Sequence, residues 1–239
     1  MSKLHGRQRK TRSGLSSTVM ERITLGRMQN PIRGLLHGRA ALASLVGLVV
    51  VVVNSWGFPA AMVGGLVFGG SLILMYTTST LYHSIPWSPQ WKLRMQRLDH
   101  LMIFLVVAGT FTPVALASLD GAHLANALST VWGAALIGIG LKTLLKHPAT
   151  WLSVTIQLLM GWSALVWMPT IYRELGGPAV ALIALGGLCY TLGVVVWLSK
   201  RPRLFPRSFS YHELFHVLVI AASALHFLVV LNYAIPATI

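Results

Sequence analysis

The chain has 239 residues, of which 55% are hydrophobic and only 10% are charged. Soluble domains carry about 25% charged residues, so this composition excludes an ordinary soluble domain and indicates a lipid environment. The net charge of +14 is typical of nucleic-acid binding only when basic residues share a soluble face, and here they lie between apolar runs. The single cysteine, Cys189, excludes an intramolecular disulfide and a thiolate metal cluster.

Apolar stretches long enough to cross a hydrocarbon core of about 30 Å as helices recur along the chain. They predict an all-α membrane protein with seven transmembrane helices. Turn-forming residues separate the spans, at Gly57-Phe58-Pro59, Pro86 with Pro89, Asp120-Gly121, His147-Pro148, Gly176-Gly177-Pro178, and Pro202 with Pro206. The predicted spans are Leu35 to Trp56, Ala60 to His83, Leu98 to Leu119, Ala122 to Leu145, Ala149 to Met168, Pro178 to Ser199 and Tyr211 to Ala234.

The distribution of lysine and arginine predicts the orientation, because cytoplasmic loops are enriched in these residues. Of the 19 in the chain, only Arg173 lies in the alternate set of loops. This places the amino terminus in the cytoplasm and, with seven spans, the carboxyl terminus outside. Residues 1–33 are predicted to form a basic, flexible cytoplasmic tail on anionic lipid headgroups, and residues 34–239 the seven-helix transmembrane domain.

Ionisable side chains at membrane depth are costly and usually functional. His212 and His216 are four residues apart, so on a helix they share one face. With His83 at the end of span two, they supply three imidazoles at the cytoplasmic side, a set that suits Zn²⁺ with a fourth position open for water. His37 and His100 fall in the same layer and remain rival ligands, whereas His226 lies about 15 Å further along its helix.

Two further residues are predicted to be catalytic. Asp99 opens span three and is placed to accept a proton from water at the metal, and Ser79 lies one helical turn from His83. Each residue also has a simpler interpretation. Asp99 could form a salt bridge with Arg94 or Arg97, and Ser79 belongs to a polar run that could only join helices.

The segment from His212 to His216 also satisfies the metalloprotease pattern H-E-x-x-H, with Glu213 as general base. No histidine follows at the metzincin spacing, and no acidic residue follows Glu213 to supply a third ligand. The protease interpretation is therefore a minor one.

Four motifs together carry a family resemblance: Ser79-Thr80-Leu81-Tyr82-His83, Leu98-Asp99-His100, Ala108-Gly109-Thr110-Phe111-Thr112-Pro113, and His212-x3-His216. In these motifs the chain resembles the haemolysin III family, bacterial members of the progestin and adipoQ receptor superfamily. The resemblance implies seven helices with a cytoplasmic amino terminus, zinc held by His83, His212 and His216, Asp99 bonded to water at the zinc, and Ser79 nearby. The arginine-rich segment before the first span departs from the acidic one that many members carry, so no role is transferred to His37.

The superfamily looks similar to alkaline ceramidases, which hydrolyse lipid amides with a comparable set of serine, aspartate and three histidines. The resemblance therefore implies a zinc-dependent hydrolase of a lipid amide or ester, active in membrane lipid and fluidity homeostasis, with membrane lipids as substrate or ligand and no nucleic-acid partner. It places the protein in the plasma membrane, as a multi-pass protein of the bacterial inner membrane. The alternatives are a non-catalytic, zinc-stabilised membrane regulator or sensor and, least favoured, a pore-forming haemolysin.

Overall fold

The computed structural model describes residues 28–145, 149–205 and 209–239, and these residues are almost entirely helical. The part of the predicted tail from residue 1 to 27, the turn at His147-Pro148, and Pro206 lie outside the described residues. The helices are α1 Pro31–Asn54, α2 Pro59–Ser84, α3 Pro89–Ser118, α4 Gly121–Leu144, α5 Thr150–Trp162, α6 Met168–Ser199, α7 Tyr211–Val229 and α8 Ile235–Ala237. A 3₁₀ segment, Ser163–Trp167, joins α5 to α6, and a π-helical turn, Val230–Ala234, joins α7 to α8.

The helices are long and apolar enough to cross a membrane. Within the described residues, six continuous helical stretches meet that requirement, and one of them is the 50-residue stretch Thr150–Ser199 that contains both α5 and α6. The outer face of α1 has the surface that lipid requires: Leu42, Val46, Val49 and Val53 are 63–67% exposed and recur at helical spacing. The chain is therefore an all-helical, multi-pass membrane protein.

The predicted breaks match most of the helix ends. Helix α2 begins at Pro59 and α4 at Gly121, as the turn residues indicate. Helix α3 starts nine residues before its predicted span, because Pro89 at its first position permits a polar amphipathic extension ahead of Leu98. At Gly176, where φ is 81° and ψ 169°, the backbone leaves the helical conformation, so two helical segments meet within α6 at the predicted break, and Pro178 follows.

Helix α3 lies at the centre of the bundle. It contacts α2, α4, α5, α6 and the carboxyl-terminal residues, and it contributes side chains to all three buried apolar clusters. Every residue from Ala108 to Ala115 is buried, so this part of the helix is surrounded by protein on all sides. The motif that ends at Pro113 therefore forms the core around which the other helices pack.

Glycines allow α2 to approach its neighbours closely. A methyl group at Gly65 would meet Val51 of α1. A methyl group at Gly69 would lie 2.7 Å from a methyl carbon of Leu48, which is also on α1. Gly64 faces the opposite side, where a Cβ would lie 2.9 Å from the Cα of Pro113 on α3. Gly65 and Gly69 thus allow close contact with α1, and Gly64 allows the corresponding contact with α3.

We expect Gly64→Ala to destabilise the protein by about 1–3 kcal/mol, because the added methyl group meets backbone atoms of Pro113 that have no room to move. Gly70→Ala is the matched control on the same helix, since nothing lies within 4 Å of the added carbon there. Thermal unfolding of detergent-purified protein should show a lower midpoint for Gly64→Ala and an unchanged or higher one for Gly70→Ala. Equal midpoints for the two variants would contradict the close α2–α3 packing.

Candidate metal centre

Three of the predicted ligands meet in the structure. His83 lies in the last turn of α2, and His212 and His216 lie in the first two turns of α7. The ring centroids are 5.2 Å apart for His83 and His212, 5.0 Å for His83 and His216, and 4.9 Å for His212 and His216. One nitrogen from each ring lies within 4.8 Å of the other two. Tetrahedral zinc needs nitrogens about 3.4 Å apart, a distance that modest ring rotations reach.

The environment of these rings fits a metal ion. His216 is 1% exposed, and its Nδ1 has no hydrogen-bond partner among the described residues. A buried polar nitrogen without a partner costs about 1–3 kcal/mol, so such atoms usually mark a missing ligand or ion. Neutral imidazoles without a thiolate are the donors that suit zinc. The three side chains therefore fit the zinc ion that the sequence predicts.

Glu213 and Ser210 set the position of α7. Ser210 caps the amino terminus of the helix, and its backbone N–H donates to Oε2 of Glu213 at 2.9 Å, which completes a capping box. The second carboxylate oxygen, Oε1, accepts a hydrogen bond of 2.7 Å from Nε of Arg33 on α1. Both oxygens of Glu213 are thus occupied by structural partners. This arrangement does not fit the general base of a metalloprotease.

The end of α2 is held by the same part of α1. The backbone N–H of Asn30 donates to the carbonyl of His83 at 2.9 Å, and that of Gln29 donates to the carbonyl of Ser84 at 3.2 Å. The residues at the start of α1 therefore contact both His83 and Glu213. They hold the end of α2 and the beginning of α7 at one level of the bundle.

Asp99 and Ser79 lie together beside the three histidines. Ser79 is buried on α2, and its hydroxyl interacts with the carboxyl group of Asp99 at the start of the buried part of α3. Both residues line the same cavity as His212 and His216. Arg94, one of the predicted salt-bridge partners of Asp99, packs over the ring of Trp91 at 5.0 Å.

The rival histidines occupy other positions. His37 packs against His216 with ring centroids 3.8 Å apart, and its two nitrogens have no partner among the described residues. His100 lies against Trp197 at 6.2 Å. Neither belongs to the group of three converging nitrogens. His226 is outside the group as predicted, and its Nδ1 lies 2.8 Å from the carbonyl of Ala222.

A cavity of about 420 Å³ extends from this polar end into the bundle. Along α3 it is lined from Gln96 to Val114, which corresponds to about 27 Å of helix. Its volume lies within the range of about 300–1,000 Å³ that is usual for small-molecule sites. The polar end includes Ser79, Asp99 and His212, whereas the α3 wall beyond it is largely apolar, with Val106, Val107, Phe111 and Val114.

The structure also places polar residues that the sequence analysis did not single out. Lys142 on α4 is buried and lines the polar end of the cavity, with Ser153 of α5 beside it. It falls inside the fourth predicted span, so the criterion that selected Asp99, an ionisable side chain at membrane depth, would have found it. Deeper in the bundle, Oγ of Ser223 forms hydrogen bonds with the hydroxyls of Tyr76 and Tyr190, at 2.8 and 3.1 Å. These residues are far apart in the sequence, so no local pattern indicates the contact.

Comparison with known proteins identifies the family of this chain. The sequence profile of the family described as haemolysin-III related matches residues 26–227, which include all the site residues. A hemolysin-3 homolog of Bacillus subtilis (strain 168) is 32% identical over 201 residues, 83% of this chain and 91% of the relative. Hemolysin-3 of Bacillus cereus is 31% identical over 219 residues, 91% of this chain and 97% of that protein. The chain therefore belongs to the haemolysin III family of multi-pass membrane proteins.

Proposed function

We propose that this protein is a zinc-dependent hydrolase that cleaves an amide or ester bond of a membrane lipid. The observation that carries the proposal is the convergence of three imidazoles beside a carboxylate, at the polar end of an elongated apolar cavity. An active site of this kind needs a metal position, a proton acceptor and a space for an acyl chain. The residues described above offer all three within one site.

Each residue has a distinct role in this proposal. Zinc held by His83, His212 and His216 would polarise the scissile carbonyl and activate water. Asp99 accepts the proton from that water and transfers it to the leaving nitrogen or oxygen, so the acyl group gains the hydroxyl as its bond breaks. The Ser79 hydroxyl holds the carboxyl group of Asp99 in position. The apolar side chains of α3 accommodate the acyl chain.

The proposal includes seven membrane crossings, a cytoplasmic amino terminus, and a place in the bacterial inner membrane, with membrane lipids as substrate. The stretch Thr150–Ser199 supports the seventh crossing, because 50 helical residues would extend about 75 Å, more than twice the hydrocarbon thickness. The positive φ of Gly176, followed by Pro178, provides a reversal point between two crossings. The lysine and arginine distribution supports the orientation, with the metal site at the cytoplasmic side.

A non-catalytic, zinc-stabilised regulator is the second candidate. The observation that favours it is the position of the ligands, which would tie α2 to α7 at a point where both already contact the start of α1. In that case the metal would stabilise the bundle, and Asp99 would have no chemical role. The variants below separate the two candidates.

Elemental mass spectrometry of detergent-purified protein should find about one zinc ion per chain. We expect His83→Ala and His212→Ala each to lose the ion, because two imidazoles hold zinc far more weakly than three. His123→Ala is the matched control, since His123 is exposed near the start of α4. Absence of metal from wild-type protein purified without chelators would refute both zinc hypotheses.

Asp99→Asn should reduce turnover at least about 100-fold while zinc stays bound, because the amide removes the proton acceptor and leaves the imidazoles intact. Turnover is measured with fluorescently labelled ceramide as the amide and 4-methylumbelliferyl oleate as the ester. Asp120→Asn provides the same chemical change at an exposed residue outside the cavity. If wild type and Asp99→Asn have equal activity per bound zinc, Asp99 is not catalytic. If wild type cleaves neither probe, the regulator becomes the better description.

Glu213→Gln should lower stability by about 1–3 kcal/mol, because the amide weakens the charged contact with Arg33. Turnover per correctly folded, zinc-loaded molecule should change by less than about threefold. Thermal unfolding and the two lipid probes test these expectations together. A loss of turnover without a loss of stability would reinstate Glu213 as the general base and, with it, the protease interpretation.

A further inference from the structure

Lys142 is a buried cation that faces the cavity. It is 8% exposed, although it lies two residues before the end of α4, where a lysine could reach the membrane surface by extending outward. The outward positions beside it are taken by Thr143 and Leu144, which is 85% exposed. The side chain of Lys142 instead lines the cavity, where its Nζ donates a long hydrogen bond of 3.4 Å to Oγ of Ser153.

No carboxylate among the described residues forms an ion pair with Lys142. Glu213 is paired with Arg33 and Glu174 with Arg173. Asp120 lies at the opposite end of α4 from Lys142, and Asp99 interacts with Ser79. A buried ammonium group with one long hydrogen bond retains unused donors, and its burial is costly unless an anion completes its shell.

The surroundings of Lys142 are those of an anion site. Ser153 and His100 adjoin Lys142, and Gln96 and Gln157, one helical turn from His100 and Ser153 respectively, also line the cavity and can donate hydrogen bonds. His100 and Lys142 interact electrostatically there. Charged hydrogen bonds to phosphate or carboxylate oxygens are the strong contacts that such donors make. The remainder of the cavity is largely apolar and continuous with this end, so the complementary ligand has an anionic group and a hydrocarbon chain.

We propose that Lys142 and its polar neighbours bind the anionic oxygen group, a phosphate or a carboxylate, of a lipid whose chain occupies the cavity. The proposal deepens the proposed function by naming the substrate class, since it selects anionic lipids over uncharged ones. It takes from that function only the assumption that the occupant is a lipid. It requires neither bound zinc nor turnover.

Native mass spectrometry of the detergent-purified protein tests the proposal with two lipids that share one chain. We expect 1-oleoyl lysophosphatidate to bind at least about tenfold more tightly than 1-oleoylglycerol, because the phosphate gains charged hydrogen bonds. Lys142→Gln should abolish that preference, and Lys142→Arg should retain it. Lys92→Gln is the control for general attraction between lysines and anionic lipids, since Lys92 is exposed and outside the cavity. An undiminished preference in correctly folded Lys142→Gln overturns the proposal.

A second variant covers the case in which Lys142→Gln does not fold. Ser153→Asp places a carboxylate within reach of Lys142, so it should compete with the ligand and reduce the preference for lysophosphatidate. An unchanged preference in this variant also counts against the site. Millimolar inorganic phosphate distinguishes the sources of the anion. Displacement of lysophosphatidate by phosphate assigns the site to a free anion, and lack of displacement assigns it to a lipid headgroup.

The same titration after zinc removal by a chelator separates this proposal from the proposed function. A preference that persists without zinc supports the Lys142 site even if no hydrolysis is found. Loss of the preference on chelation overturns the role of Lys142, because the metal would then be the group that binds the anion.

Discussion

The geometry of the candidate site depends on the contacts made by the start of α1. Arg33 forms an ion pair with Glu213 of α7, and the backbone of Asn30 donates a hydrogen bond to the carbonyl of His83 on α2. The chain distance between Arg33 and Glu213 is 180 residues, so this contact joins the two ends of the helical bundle. Because imidazoles share a metal only when their backbones lie at one level, these two contacts determine whether His83 can meet His212 and His216. Glu213 thus has a structural role, as the ion-pair partner of Arg33, that explains its presence between two histidines.

The contrast between two groups of buried polar atoms identifies where a ligand belongs. In the middle of the bundle, the hydroxyls of Tyr76 and Tyr190 both interact with Ser223, and His226 is bonded to a carbonyl. These groups are satisfied within the protein, as burial in a membrane requires. At the histidine end, by contrast, both nitrogens of His37 and Nδ1 of His216 have no partner among the described residues. Ser55 and Thr110 also have buried hydroxyls without a partner among the described residues, but at the histidine end several such atoms lie close together, which favours a ligand there.

Local patterns were sufficient to predict most of the helices and to bring His83, His212 and His216 to attention. The apolar runs, proline and glycine breaks, and the spacing of His212 and His216 are properties of neighbouring residues, and they predicted where α2 and α7 end and begin. The same reasoning had no access to the partner of Glu213, because an ion pair across the bundle has no signature in either segment. It consequently kept H-E-x-x-H as a minor catalytic interpretation, and the occupied oxygens of Glu213 add a structural argument against it. His37 and His100 were equal rivals in the sequence; the structure places His100 against Trp197, whereas His37 packs against His216 without joining the three converging nitrogens.

Lys142 illustrates the limit of reading charge from a sequence. Orientation rules count lysines near span ends as surface charges, and most such side chains do extend toward water. The direction of one side chain depends on the rotation of its helix, which is set by packing against neighbours. Helix α4 is anchored by Ala127, Val131 and Ala135 against α3 and α5, and Lys142 follows Val131 and Ala135 at intervals that keep it on this buried face. A residue that the sequence counts toward topology is therefore placed inside the cavity by the rotation of one helix, and its burial is the reason that we propose an anionic ligand for it.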